Sequence, residues 1–198
     1  LIVDRLVSKI EKEILKITDN YEIILVDDGS SDNSWSKILD NCNKNSKLKG
    51  IKLTRNFGQH YAISSGLWKS TGDYVIVIDC DLQENPIYFA NLFEQVKMGY
   101  EIVLTQPLKR KHKWYRNFLS FLFHKLFRIL MNNKSLQYDT QYGTLSIISR
   151  KVVIEFLKFN DYHRHYLFII NWLGFKKKTI FIKHEPRYKG HSSYNLKK

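Results

Sequence analysis

Cysteine is scarce in this chain, and so is proline. The two cysteines, Cys42 and Cys80, stand far apart and form no CxxC pair. That excludes a disulfide framework and a zinc knuckle, and it fits a reducing compartment. No apolar run reaches the roughly 18 residues that a bilayer-spanning helix needs, and no signal peptide is legible. Acids are short too: 19 Asp and Glu stand against 32 Lys and Arg, a formal charge of +13. Such a surplus calls for an anionic partner, whether nucleic acid, acidic lipid or a phosphorylated substrate. Repeats and low-complexity tracts are missing as well. The chain begins without Met and stops at "YNLKK" with no helix stop signal. It therefore reads as a piece of a longer protein, and a missing membrane anchor says nothing about solubility.

What remains is an ordinary globular core. The 198 residues, 43% of them apolar, suffice for one substantial α/β domain. Residues 1–17 place Ile2, Leu6, Ile10, Ile14 and Ile17 on one helical face. Short β-rich runs follow in "YEIILVDD", "GIKLTRN", "YVIVID" and "EIVLT". Helical patterns stand between them in "SWSKILDNC", "GQHYAISSGLWKS" and "NPIYFANLFEQVKMGY". Pro86 sits near a first helical turn and Gly99 near a C-cap. Strand and helix alternating at this rhythm predict right-handed βαβ units and a mainly parallel sheet flanked by helices. Ligands of such sheets gather beyond the carboxyl ends of the strands, where Asp27–Asp28 and Asp79–Asp81 both fall. The two acidic clusters are expected to share one cleft.

In "IDCD" an extended backbone would aim Asp79 and Asp81 to one side and Cys80 to the other, as a small core residue. Two close carboxylates raise one another's pKa unless a cation lies between them. Mg²⁺ or Mn²⁺ answers that need and would also hold a substrate's phosphates, with Gln83 as a further oxygen ligand. Alternatively, the two acids only cap the turn. In "VDDGSSD", Asp32 and Ser31 suit an Asx-type cap of the helix at Ser34. Asp27 and Asp28 exceed what a cap requires, and carboxylates accept from nucleobase N–H or ribose hydroxyl groups.

The second half changes character. "HKWYRNFLSFLFHKLFRILMN" is densely apolar, with Lys113, Arg116, His124, Lys125 and Arg128 and no acid. It is either a packed core helix with a basic rim or an amphipathic helix at an anionic membrane surface. His163 and His165 would share a strand face, but no carboxylate accompanies them as a metal ligand. Trp68, Trp114 and Trp172 read as core or interface anchors.

"VDDGSSDNS", "TRNFGQHYAISSGL", "TGDYVIVIDCDLQENP" and "RYKGHSSYN" occur in this order over almost the whole chain. Together they resemble glycosyltransferase family 2, nearest the polyprenyl-phosphate (dolichyl-phosphate-type) sugar transferases. The resemblance implies a GT-A fold with a Rossmann-like sheet, here lacking the family's first strand. It implies one catalytic domain, with a nucleotide-sugar half at about 1–105 and an acceptor- and membrane-facing half at about 106–198. It also implies a UDP- or GDP-sugar donor, Mg²⁺ or Mn²⁺, and inversion at the anomeric carbon. Asp27, Asp28 and Arg55 would hold the donor, and Asp79, Asp81 and Gln83 would ligate the metal on its diphosphate. Arg187 would sit on a closing loop over the phosphates, and Arg116 and Ser120 would hold the acceptor phosphate.

The sequence also departs from the family. Arg is common just after the fourth strand; here Pro107 stands near that point, and Lys109, Arg110 or Lys111 must substitute. Many relatives carry an acid after the glycine of "QYGTLS", where this chain has Thr144. A lipid phosphate acceptor is already an anion and needs positioning more than a base. The expectation is sugar transfer to undecaprenyl or dolichyl phosphate at the cytoplasmic membrane face, with homo-oligomerisation left open. The alternatives are transfer to a sugar hydroxyl of a glycan or glycolipid, and nucleic-acid binding. No helix-turn-helix, zinc-finger or RNP-type signal supports the latter. The Q-x-x-R-W signature of processive synthases is absent, with "NWLGF" in its place.

Overall fold

The computed structural model describes residues 2–108, 142–159, 161–162 and 164–185. Its elements follow the expected rhythm. They are α1 (Ile2–Ile14), β1 (Ile23–Asp27), α2 (Ser34–Lys44), β2 (Leu48–Lys52), α3 (Gln59–Lys69) and β3 (Tyr74–Val77). A 3₁₀ turn (Pro86–Tyr88) leads into α4 (Phe89–Lys97), then β4 (Ile102–Pro107). After the next described stretch begins come β5 (Ser146–Ser149), α5 (Arg150–Leu157), α6 (Tyr166–Trp172) and β6 (Lys177–Ile182).

Among the described residues the strands form two sheets, β1–β2 and β3–β5–β4–β6. Parallel pairing holds for β1 with β2 and for β4 with β6, whereas β5 runs antiparallel to both of its neighbours. The strands β3, β4 and β6 of the larger sheet therefore point one way and β5 alone runs against them, so the mainly parallel sheet carries one antiparallel strand, which leads straight into α5.

Alternation along β4 and β5 explains the layering. Val103 and Ile147 join Leu6, Ile10, Phe89, Leu92 and Val96 on one face, under α1 and α4. Ile102, Leu104 and Ile148 join Leu67, Val152, Phe156, Tyr166 and Ile170 on the other, under α3, α5 and α6. Helix α1 buries Leu6, Val7 and Ile10, part of the stripe that its sequence announces. Gly99 closes the α4 segment with φ +85°, a backbone state that glycine adopts without steric cost. Tyr166 is wholly buried, and its hydroxyl pairs with Ser146 Oγ at 2.9 Å.

Two of the tryptophans read as core or interface anchors are exposed. Trp68 is 74% exposed and Trp172 55%, so neither is a core residue. Each sits at the C-terminal end of a helix whose buried stripe is already filled by Leu67 or by Ile169 and Ile170. Trp114 and the basic apolar stretch around Arg116 fall outside the described residues. No helix among the described residues is long and apolar enough to cross a membrane.

Glu22 fastens the two sheets at the rear of the domain. Its carboxylate pairs with Lys49 Nζ at 2.6 Å and accepts from the Thr71 backbone N–H and hydroxyl, both at 2.7 Å. Partial burial acts to raise its pKa, but these bonds outweigh it and bring it down to about 2. A depressed carboxylate adds stability above its unfolded value, and that stability fades as pH falls through the folded value. The stability difference between wild type and Glu22→Gln should therefore be full above about pH 4.5 and vanish by about pH 2. Urea midpoints across that range test this, and a pH-independent difference would refute it.

Candidate active site

The turn after β1 brings the first acids into place. Asp27 is buried at 3% exposure; its Oδ1 accepts from Ser30 N at 3.2 Å, while its buried Oδ2 has no hydrogen-bond partner among the described residues. Asp28 reaches across to the loop between β2 and α3, where Oδ1 takes Phe57 N–H at 2.8 Å and Oδ2 takes Gly58 N–H at 2.9 Å. Gly29, at φ +70°, makes this approach possible. A Cβ there would lie 2.5 Å from the Arg55 carbonyl carbon and the Asn56 nitrogen. Arg55 is exposed and lays its guanidinium over the Phe57 ring at 4.6 Å. Asp32 Oδ1 accepts from Ser34 N at 2.9 Å, the Asx-type cap that its position suggests.

The next residue of that loop, Gln59, reaches the second acid cluster. Its Nε2 donates to Asp79 Oδ1 at 2.8 Å, and Thr144 Oγ1 donates to Asp79 Oδ2 at 2.9 Å. Residues 57–59 thus bridge both clusters, and the expected single cleft is formed by direct contacts.

The "IDCD" geometry differs from the extended reading. Strand β3 ends at Val77 and a turn covers Cys80–Asp81, so pleat alternation does not apply at Asp79–Asp81. The turn swings Cys80 outward, and its thiol is exposed rather than packed in the core. Asp81 Oδ1 accepts from Gln83 N at 3.0 Å, closing an Asx turn around Leu82. Leu82 sits at φ +60° with only 3% exposure; its burial in the α1/α4 core holds this uncommon backbone state. The Gln83 carbonyl accepts from Glu185 N at 2.9 Å, joining the turn to the segment after β6.

Behind the turn lies Glu84, buried at 3% exposure. Burial pushes its pKa up to about 7; the charges of Asp79 and Asp81 add to the rise, while backbone N–H groups of Leu145 and Asp79 oppose it. His184 Nε2 lies 3.8 Å from its Oε1. Gly143 leaves the room that Glu84 occupies, since a Cβ at 143 would overlap Oε1 and approach Thr105 Oγ1 to 2.9 Å. Gln59 and Glu84 were not among the residues singled out from sequence. The adjacency of Glu84 to an acidic pair, with a glycine beside β5, was the available signal.

Among the described residues the histidines gather into no metal-ligand cluster. His165 Nδ1 accepts from Phe168 N at 3.4 Å at the start of α6, and its ring stacks on His60 with centroids 4.2 Å apart. Burial lowers the pKa of both. His163, Arg110, Arg116, Ser120 and Arg187 lie outside the described residues.

The oxygen donors of Asp79, Asp81 and Gln83 fit a hard divalent cation. Among the described residues no group of three or more His, Cys, Asp or Glu gathers as a cage.

A mixed sheet between helical layers, with acids at the strand ends, defines a GT-A-type glycosyltransferase domain. Residues 3–157 match the model of glycosyl transferase family 2, and the chain belongs to that family. It is 34% identical over 199 residues to the undecaprenyl-phosphate 4-deoxy-4-formamido-L-arabinose transferase of Aeromonas hydrophila, covering 96% of this chain and 58% of that protein. It is 31% identical over 189 residues to the uncharacterised glycosyltransferase YkcC of Bacillus subtilis, covering 94% of this chain and 58% of the relative. The chain thus spans less than two thirds of the curated relatives it matches. Among solved structures, Staphylococcus aureus TarS residues 1–349 share the fold with TM-score 0.56 at 12% identity, over 89% of this chain and 56% of that one. The mannosyltransferase PcManGT of Pyrobaculum calidifontis, solved with GDP-Man and Mn²⁺, gives TM-score 0.51 at 18% identity, over 87% and 51%.

If Gly143 is kept free of a side chain by Glu84, Gly143→Ala should destabilise the fold by about 1–3 kcal/mol, the usual range for overpacking. Urea unfolding measures it, and an unchanged midpoint would show that the Glu84 pocket can yield.

Proposed function

We propose that this protein transfers a sugar from a nucleoside-diphosphate sugar to a polyprenyl phosphate, with inversion, at the cytoplasmic face of a membrane. The observation that carries this reading is the bridge of residues 57–59, which brings Asp28 and Asp79 into one cleft. Family membership and the named activity of the Aeromonas relative support it.

Asp27 Oδ2, buried and without a hydrogen-bond partner among the described residues, is the acceptor for a base or ribose N–H or O–H donor. Asp28 and Arg55 shape the donor pocket around it. A divalent cation held by Asp79, Asp81 and Gln83 would neutralise charge growing on the leaving diphosphate. An oxygen of the acceptor phosphate attacks the anomeric carbon as the bond to the diphosphate breaks, and the nucleoside diphosphate leaves. The phosphate is an anion from the outset, so no proton has to be removed. Thr144 suits that chemistry, since its hydroxyl donates to Asp79 and is no base. A sugar-hydroxyl acceptor would require one.

By resemblance, Arg110, Arg116 and Ser120 hold the acceptor phosphate and Arg187 closes over the donor. The charge of +13 favours both a lipid phosphate and an anionic membrane surface. The donor half, about 1–105, and the acceptor half, about 106–198, then divide the work within one domain.

The test is a panel of UDP- and GDP-sugars against polyprenyl phosphate, with Mg²⁺ or Mn²⁺ and the full-length protein. Asp81→Ala should cut transfer by at least about 100-fold, the scale of losing one electrostatic contact in a catalytic site, and remove metal-dependent donor binding. Undiminished activity would sink the assignment. Arg116→Ala should raise the KM for polyprenyl phosphate while donor affinity stays unchanged.

A further inference from the structure

We propose that Gln59 and Thr144 are positioning residues that clamp the Asp79 carboxylate in one orientation for a metal–diphosphate. The inference rests on the reading of Asp79 as a metal ligand and extends it to two residues that do not themselves touch substrate.

The clamp is closed on three sides. Gln59 Nε2 meets Asp79 Oδ1 at 2.8 Å, Thr144 Oγ1 meets Asp79 Oδ2 at 2.9 Å, and Gln59 Nε2 meets Thr144 Oγ1 at 3.1 Å. Donor and acceptor roles follow from chemistry. An ionised carboxylate only accepts, so the Thr144 hydroxyl spends its single hydrogen on Asp79. Its lone pairs are then left for the second N–H of the Gln59 amide. Turning the amide over would set its oxygen against both the carboxylate and the hydroxyl oxygen. One proton arrangement therefore satisfies all three groups.

Each clamp residue stands on a fixed mount. Thr144 lies between Gly143, whose N–H donates to Thr105 O at 2.9 Å, and Leu145, whose carbonyl accepts the Thr105 hydroxyl at 2.7 Å. The Ser146 hydroxyl donates to the Thr144 carbonyl at 2.9 Å. Gln59 opens α3 directly after Gly58, which Asp28 tethers. Two elements distant in sequence thus fix the plane of a carboxylate that sits just past the end of its own strand. Both donors are neutral, so they orient Asp79 without cancelling its charge. Each carboxylate oxygen has more than one acceptor site, so a cation can bind alongside the clamp.

The experiment uses the full-length protein and reads Mn²⁺ binding by electron paramagnetic resonance with UDP present, and in parallel with GDP. Thr144→Val and Gln59→Leu should each weaken Mn²⁺ binding by about 10-fold or more, the range for lost outer-shell partners. Thr144→Ser should stay within about twofold. Because both act through Asp79, the double variant should lose less than the product of the single losses. Gln59 is exposed, so its variant tests the clamp even where a change at Thr144 disturbs folding, which circular dichroism reports. Wild-type Mn²⁺ affinity in Gln59→Leu and Thr144→Val, alongside loss in Asp79→Ala, would overturn the clamp and leave the metal reading standing. Failure of Thr144→Ser to rescue would also overturn it. Unchanged binding in Asp79→Ala, or none in wild type with either nucleotide, would overturn both.

Discussion

The site depends on one tether, the Asp28 carboxylate holding the backbone N–H groups of Phe57 and Gly58. A carboxylate accepting two backbone donors makes charge-assisted bonds, each worth about 1.5–3 kcal/mol. They set the height at which α3 begins, and hence where Gln59 meets Asp79. Gly29 is the steric condition for the tether, because any side chain there would drive residues 55 and 56 away. Two acids that look alike in "VDD" therefore do different work. Asp28 ties the β1 turn to residues 57 and 58, whereas Asp27 keeps a buried oxygen with no hydrogen-bond partner among the described residues.

Glu84 poses the opposite problem, a buried acid beside two others. Enclosing a carboxylate disfavours its charged form, and the charges of Asp79 and Asp81 push the same way. The fold accepts this because N–H groups of Asp79 and Leu145 face the carboxyl and Gly143 vacates space for it. The result locks the turn after β3 against the start of β5. Strand β3 itself is short and half-buried and could not hold the turn alone. Leu82, plugged into the core at positive φ, is the other fastening.

Much of this was legible in the sequence, and the reasons for the rest are physical. Periodicity located α1 through its Leu6 and Ile10 stripe, and the strand–helix rhythm gave β1 to β4 in order. Placing acids at strand ends correctly pointed to one cleft. Pleat logic failed at Cys80 because the strand stops two residues before Asp79, and composition does not mark where extension yields to a turn. Of the two readings of Trp68, core or interface anchor, its exposure removes the first, because the helix had already spent its inward positions on Ser64 and Leu67. Gln59, Asp79 and Thr144 are 20 and 65 residues apart, and no local pattern encodes such a meeting. The direction of β5 is equally non-local.

Charge closes the argument. A chain with a surplus of 13 cations concentrates Asp27, Asp28, Asp79, Asp81 and Glu84 at the ends of two strands. Among the donors to Asp28, Asp79 and Asp81 are neutral groups: backbone N–H groups, an amide and a hydroxyl. Neutral donors fix a carboxylate's direction without cancelling its charge. On the reading proposed above, a cation between carboxylates and phosphates would invert the local charge logic where it binds. The chain's net charge of +13 would then attract anions from a distance, while the acids would decide where one of them stops. Long-range attraction and short-range placement would thus be carried by opposite charges, as the proposed metal-assisted transfer requires.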